Sequence, residues 1–201
     1  MAQRIDAVRN RKALIAAAEQ VFAEHGPDAP LELVARRAYV GRGTLYRHFR
    51  DRTDLAAAVF EQHLGELEEF VAERAENASV LLELLTRIAA LQSQTRGIQP
   101  LLLRAEKGHE RLAAVGERTR RLFADPLATS QEAGVVSREI TVEDLILVLD
   151  MLEGALSRLS REEAPTVARR ALALLLPTLT DGPGAVDEAA WRRATGEVAT
   201  S

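Results

Sequence analysis

Apolar residues return along this chain with the period of a helix from residue 14 to about residue 180. Leu14, Ala17, Ala18, Val21 and Phe22 fall at i, i+3, i+4, i+7 and i+8, one stripe of a helix over 10–25. Residues 1–9 read as a loose arm. Gly26 stands where a C-cap glycine belongs, and Pro27 stops continuation. Leu31, Val34, Ala35 and Ala38 repeat the stripe over a short helix, 31–38. Tyr39-Val40-Gly41 breaks it, and a third helix over 42–49 carries Leu45 and Phe49 on its inner face. Thr53 is placed to cap a long fourth helix reaching residue 76. Further helices are predicted at 79–95, 98–106, 110–132, 142–160 and 165–179, with breaks at Gly97, Gly108, Gly134 and Pro165. Thr141 and Asp144 approximate a capping box, and Pro126 is expected to kink or divide its helix. Residues 181–201 begin Asp-Gly-Pro-Gly and read as a tail in which Trp191 has the strongest reason to dock. Strand-type alternation is missing, so the fold class is all-α.

Composition narrows the function. Of 201 residues, 47% are hydrophobic and 28% charged, the balance of a globular chain. Cysteine is absent, which excludes disulfides, thiolate metal sites and a thiol nucleophile. The longest apolar runs, Leu145–Leu149 and Ala171–Pro177, are far short of the ~18 residues of a spanning helix, so no membrane partner is expected. The polar, basic start carries no signal-peptide pattern, and a cytoplasmic location is the expectation. Net charge is −4, but unevenly spread. Residues 1–52 hold ten Lys/Arg against six Asp/Glu, a net +4; the remainder holds 16 against 24, a net −8. A basic head on an acidic body suits a molecule that meets a polyanion at one end.

Enzyme chemistry finds little support, and no catalytic residue, metal ligand or cofactor is assigned. Glu106 and His109 have the E-x-x-H spacing of carboxylate-bridged metal bundles, but the other histidines, His25, His48 and His63, lack an acid three residues earlier. Gly41-Arg42-Gly43 lacks the third glycine and the preceding strand of a dinucleotide fingerprint.

Three helices of these lengths, each with one apolar stripe, have the size of a helix-turn-helix unit. The outer face of the third carries Arg42, Thr44, Tyr46, Arg47 and Arg50. Arginine forks onto guanine edges or phosphates, threonine meets a thymine methyl, and a tyrosine hydroxyl reaches phosphate oxygen. Gly41 and Gly43 keep side-chain bulk away from that helix's start. The run Gly43-Thr44-Leu45-Tyr46-Arg47-His48-Phe49, within residues 33–55 and supported by Val21–Gly26, resembles the signature of the TetR family of regulators. The resemblance covers about a quarter of the chain. It implies base or groove contacts from Arg42 and Thr44, close backbone approach at Gly43, phosphate contacts from Tyr46 and His48, and a phosphate contact from Arg52. Arg47 joins this set from its exposed position. The sequence departs from the family pattern at Pro30 (usually Thr), at Tyr39 (the turn glycine) and at Gly41 (usually Ser). Tyr39 either stands exposed in place of glycine or packs on the first helix; the residues leave both open.

For the rest, the resemblance implies about nine helices in all, a homodimer formed by the last two, and a small-molecule cavity among the middle ones. The expected division is 1–53 for the DNA-binding head, 54–180 for sensing and dimerisation, and 181–201 for the tail. Leu149, Gly154, Ala155, Leu172 and Leu176 are the candidate dimer residues, on helices apolar over more than one face. Leu103, Arg104, Phe123, Asp150 and Met151 are the candidate pocket residues. Asp150 and Glu153 interrupt an apolar helix and need a partner or water; a ligand, an arginine such as Arg104 or Arg158, and the dimer edge all remain open. The function expected is a sequence-specific regulator of transcription on double-stranded DNA, a repressor released from a palindromic operator by a small-molecule effector; the alternatives are an effector-independent DNA-binding regulator and a helical small-molecule carrier or enzyme.

Overall fold

The computed structural model describes residues 2–26, 28–95 and 110–182. Over these it is built from helices alone, eight of them. The predicted helix 98–106, with Leu103 and Arg104, lies outside the described residues, as do Glu106, His109 and the tail beyond Gly182.

The head comprises α1 (Ala2–His25), α2 (Leu31–Arg37) and α3 (Arg42–His48). The first nine residues are not a loose arm: α1 is helical from Ala2. No Gly or Pro interrupts residues 2–25, and Ala, Arg, Gln and Lys are good helix formers, so the helix extends past its buried stripe. That stripe, Leu14, Ala18, Val21 and Phe22, packs with Val34, Leu45 and Phe49 into a fully enclosed cluster. Gly26 ends α1 at φ +80°, its N–H donating to Phe22 O over 2.9 Å. α2 starts on Pro30 and α3 on Gly41, neither supplying a side-chain cap.

Between α2 and α3 the chain makes a Schellman turn. Val40 N–H donates to Ala35 O (3.0 Å) and Tyr39 N–H to Arg36 O (3.2 Å). The motif requires a left-handed residue, and Tyr39 takes it at φ 55°. A side chain there costs ~1–2 kcal/mol that glycine avoids.

α4 (Arg52–Ala72) joins head to body. Asp51, not Thr53, is its cap: Asp51 Oδ1 accepts from Asp54 N (2.8 Å), and Asp54 Oδ2 accepts from Arg50 N (3.0 Å). The two aspartates satisfy donors on both sides of the helix start, which a single threonine inside it does not. Leu55, Ala58 and Val59 belong to the head's core, Leu64 and Leu67 to the body's, and Phe60 touches both. The body adds α5 (Val80–Gln94), α6 (Glu110–Glu132), α7 (Val142–Leu156) and α8 (Ala164–Asp181). α5 packs on α8, α4 on α6, and α7 against α6 and α8, around Leu81, Leu84, Leu85, Phe123, Leu145, Leu152 and Leu156. Pro126 does not divide α6, which runs through it to Glu132. Its ring is buried, so packing outweighs the one main-chain bond it removes. The capping box forms as expected, with Thr141 N donating to Asp144 Oδ2 (2.8 Å) and Asp144 N to Thr141 Oγ1 (3.2 Å). α7 stops at Leu156, short of residue 160, because Ser160 and Glu163 bond each other's side chains and main chain in a turn before α8.

Candidate nucleic-acid interface and interior cavity

Leu45 is the one residue of α3 that the fold buries. With Phe49 behind it, it fixes which side of a seven-residue helix faces outward. Arg42, Gly43, Tyr46 and Arg47 are on that exposed side, and Thr44 and His48 are half-buried at its margins. A Cβ added at Gly41 or Gly43 would meet nothing within 4 Å, so the helix start is open to an approaching surface.

The side chains of this face are held loosely. Arg42 Nη2 lies 2.8 Å from Glu32 Oε1 across an exposed α2–α3 pair. Such a pair is worth ~0–1 kcal/mol, little enough for a phosphate to displace the carboxylate. Arg47 Nη2 donates to Thr44 Oγ1 over 3.2 Å. His48 sits below its ordinary pKa because burial disfavours the cation, and Arg11 and Arg47 add repulsion. Arg11 itself stands over the Phe49 ring at 5.1 Å, so the N-terminal half of α1 places a cation beside the end of α3. Arg52 is half-buried and donates to Ala29 O, tying the α1–α2 loop to α4. Tyr39 is 97% exposed, which decides between the two placements open in the sequence. Arg36 is also exposed, and Arg37 pairs with Glu24 at 2.7 Å, which lowers the carboxyl pKa and raises that of the guanidinium.

In the body, α4, α5, α6 and α7 line a cavity of about 110 Å³. Its wall is mostly apolar, with Leu64, Ile88, Leu122 and Phe123 among the liners. Asp150 and Glu153 from α7, Gln92 from α5 and His63 from α4 supply polar groups. Of the pocket residues expected from sequence, Phe123 and Asp150 line this cavity. Met151 does not: one position on from Asp150 turns it ~100° about the helix, and it is 55% exposed on the outer face. His63 was not singled out by its spacing, and only its surroundings mark it. It is buried, lines the cavity, and its Nε2 lies 2.9 Å from Glu19 Oε1 on α1. That hydrogen bond lowers the Glu19 carboxyl pKa against the opposing effect of burial. A side chain facing the cavity is therefore bonded directly to the head.

Two expected interface residues are used differently. Leu149 and Leu172 are buried in the protomer's own core, because they point inward from α7 and α8, and Leu176 is half-buried against it. Gly154 and Ala155 are exposed, in line along α7 with the exposed Leu147 and Met151, while Leu174 is exposed on α8. The outward apolar set is thus Leu147, Met151, Ala155 and Leu174. Among the described residues no cluster of three or more His, Asp or Glu could hold a metal ion, and no helix is long and apolar enough to cross a membrane.

Residues 14–59 match the family model described as bacterial regulatory proteins, tetR family. The transcriptional repressor LfrR of Mycolicibacterium smegmatis is 41% identical over 71 residues, 35% of this chain and 36% of LfrR. An HTH-type transcriptional regulator of Staphylococcus aureus is 37% identical over 63 residues, 31% of this chain and 34% of that protein. The chain thus spans about a third of the length of the curated relatives it matches. Similarity in structure extends further. A TetR transcriptional regulator of Streptomyces coelicolor superposes with a TM-score of 0.63 at 27% identity, over 84% of this chain and 97% of that one. Thermus thermophilus FadR, a TetR-family repressor crystallised with lauroyl-CoA, shares the fold at a TM-score of 0.58 and 20% identity, over 88% and 96% of the two chains.

Proposed function

We propose that the chain is a member of the TetR family of bacterial regulatory proteins, which its similarities support, and that it is a homodimeric, sequence-specific DNA-binding repressor released by a small-molecule effector. The observation that carries the reading is the outer face of α3. Buried Leu45 and Phe49 hold the short helix down, and its far side presents Arg42, Thr44, Tyr46 and Arg47 around an unobstructed glycine start. Arg42 and Thr44 take base edges, while Tyr46, Arg47 and His48 take phosphates. Arg52 adds a phosphate contact from the start of α4.

The exposed apolar residues of α7 and α8 support a dimer through those helices, with Gly154 and Ala155 allowing close approach. Two copies then present α3 to successive major grooves, ~34 Å apart. The mostly apolar cavity supports an effector site, as does the lauroyl-CoA held by a protein of the same fold. The His63–Glu19 bridge gives occupancy of that cavity a direct route to α1. An effector lowers DNA affinity only by as much as it prefers the released state over the DNA-bound one.

Selection of bound sequences from a random duplex pool tests the whole reading. Enrichment of an inverted repeat, with half-sites one helical turn or a multiple apart, is the expected result. Failure to enrich any sequence would overturn it.

A further inference from the structure

We propose that Tyr39 is an additional DNA contact, its ring lying against the sugar–phosphate rim beside α3 and its hydroxyl donating to a phosphate oxygen. The inference rests on the DNA-binding reading above and extends it to a residue outside the recognition helix.

Two independent features single this residue out. Its backbone is left-handed, φ 55°, the only positive value among the described non-glycine residues. The turn needs that conformation, because the bonds Val40 N to Ala35 O and Tyr39 N to Arg36 O close around it. Tyrosine supplies it at a cost that glycine would avoid. The ring meanwhile is 97% exposed, so it recovers none of that cost by packing in the head. Strain held in place by the surrounding fold, on a side chain that contributes nothing to the core, points to a contact outside the protomer.

The surroundings select duplex DNA as the occupant. Tyr39 stands two residues before Gly41 and three before Arg42, both exposed, as are Gly43, Tyr46 and Arg47 on the outer side of α3. Arg36 is exposed on the other side of the turn. An aromatic ring interleaved with arginines suits a polyanion, to which the phenol adds a neutral donor. A second copy of the chain is a poorer match. The outward apolar residues are on α7 and α8, whereas α2 and α3 pack on α1 and on each other.

The test compares the full-length protein with Tyr39→Gly and Tyr39→Phe by thermal unfolding and by fluorescence anisotropy on a 30-bp mixed-sequence duplex at low salt. Tyr39→Gly is expected to raise Tm by about 2–4 °C through relief of strain. The same variant is expected to weaken DNA binding about 10-fold, a loss that misfolding cannot explain. Tyr39→Phe keeps the ring and the strain, so its Tm stays put, and Kd rises by about 3–10-fold for the lost bond. Neither substitution removes a charge, so the slope of log Kd against log salt is unchanged in both. A Tyr39→Gly protein that is more stable and binds the duplex like the parent overturns the inference and leaves the DNA-binding reading intact. A Tyr39→Phe protein indistinguishable from the parent overturns the phosphate bond. A parent protein that ignores the duplex overturns both this inference and the reading beneath it.

Discussion

Leu45 and Tyr46 are neighbours in sequence, ~100° apart around α3, one buried and the other exposed, and substituting each should give opposite signatures. Leu45 is 1% exposed and shares an enclosed cluster with Phe22, Val34 and Phe49. Leu45→Ala removes three buried carbons from a site bounded by fully buried neighbours, so the gap cannot easily close, and the cost is about 3 kcal/mol. In a chain of this size each kcal/mol moves Tm by about 2–4 °C, so the expected loss is about 6–12 °C. DNA affinity falls with it, because Leu45 is the one buried residue within α3 and only Phe49 at its C-cap helps it hold the helix to the head. Tyr46 is half exposed, and Tyr46→Phe deletes one hydroxyl at the surface. Stability should stay within about 0.5 kcal/mol, while Kd rises about 10-fold for a lost bond to phosphate. Circular dichroism melts and anisotropy titrations read both quantities. A stable Leu45→Ala protein, or a Tyr46→Phe protein that loses stability rather than affinity, would refute the orientation assigned to α3.

Three further outcomes follow from the same geometry. His48 titrates below its ordinary value in the free protein, and a phosphate beside it favours the cation, so DNA binding takes up a proton. Affinity should therefore rise as pH falls from 7.5 toward 5.5, and His48→Gln should flatten that rise; a parent profile as flat as the variant's removes His48 from the contact. The depressed Glu19 carboxyl contributes stability that is complete above the unfolded carboxyl pKa and disappears as pH falls through its lower folded value. Urea unfolding at falling pH should show Glu19→Gln about 1 kcal/mol weaker at neutrality, with the gap narrowing in acid; a gap that does not narrow as pH falls contradicts the bridge. Gly154→Arg places its side chain in open space on the protomer. It should leave the helical spectrum intact and convert dimer to monomer in sedimentation velocity, and a variant that sediments with the parent moves the dimer face elsewhere.

The head was legible because its rules are local. One-sided stripes gave the helices, Gly26 gave the stop, and a run of seven residues gave the reading face. The glycine position filled by Tyr39 even announced the strain, though not where the ring would go. Where two signals competed, the pattern alone misjudged. Thr53 is a good cap, but Asp51 with Asp54 satisfies more donors. The polar first turns of α1 look like an arm because no buried stripe marks them, yet nothing in them breaks a helix. In the body, α7 is apolar on several faces, so its sequence could not say which leucines turn inward. Leu149 faces the cavity, while Leu147 and Met151 face out. The His63–Glu19 bridge joins residues 44 apart, and neither has a neighbour in sequence that signals it.

Whether α3 meets DNA through its cations is read from the salt dependence of duplex binding. If the face of α3 meets DNA through its cations and each dimer neutralises about five phosphates, log K falls against log salt with a slope near −4.5, a loss of several hundred-fold between 50 and 200 mM KCl. A protein that binds no duplex at 50 mM, or whose affinity hardly changes across that range, would contradict the account.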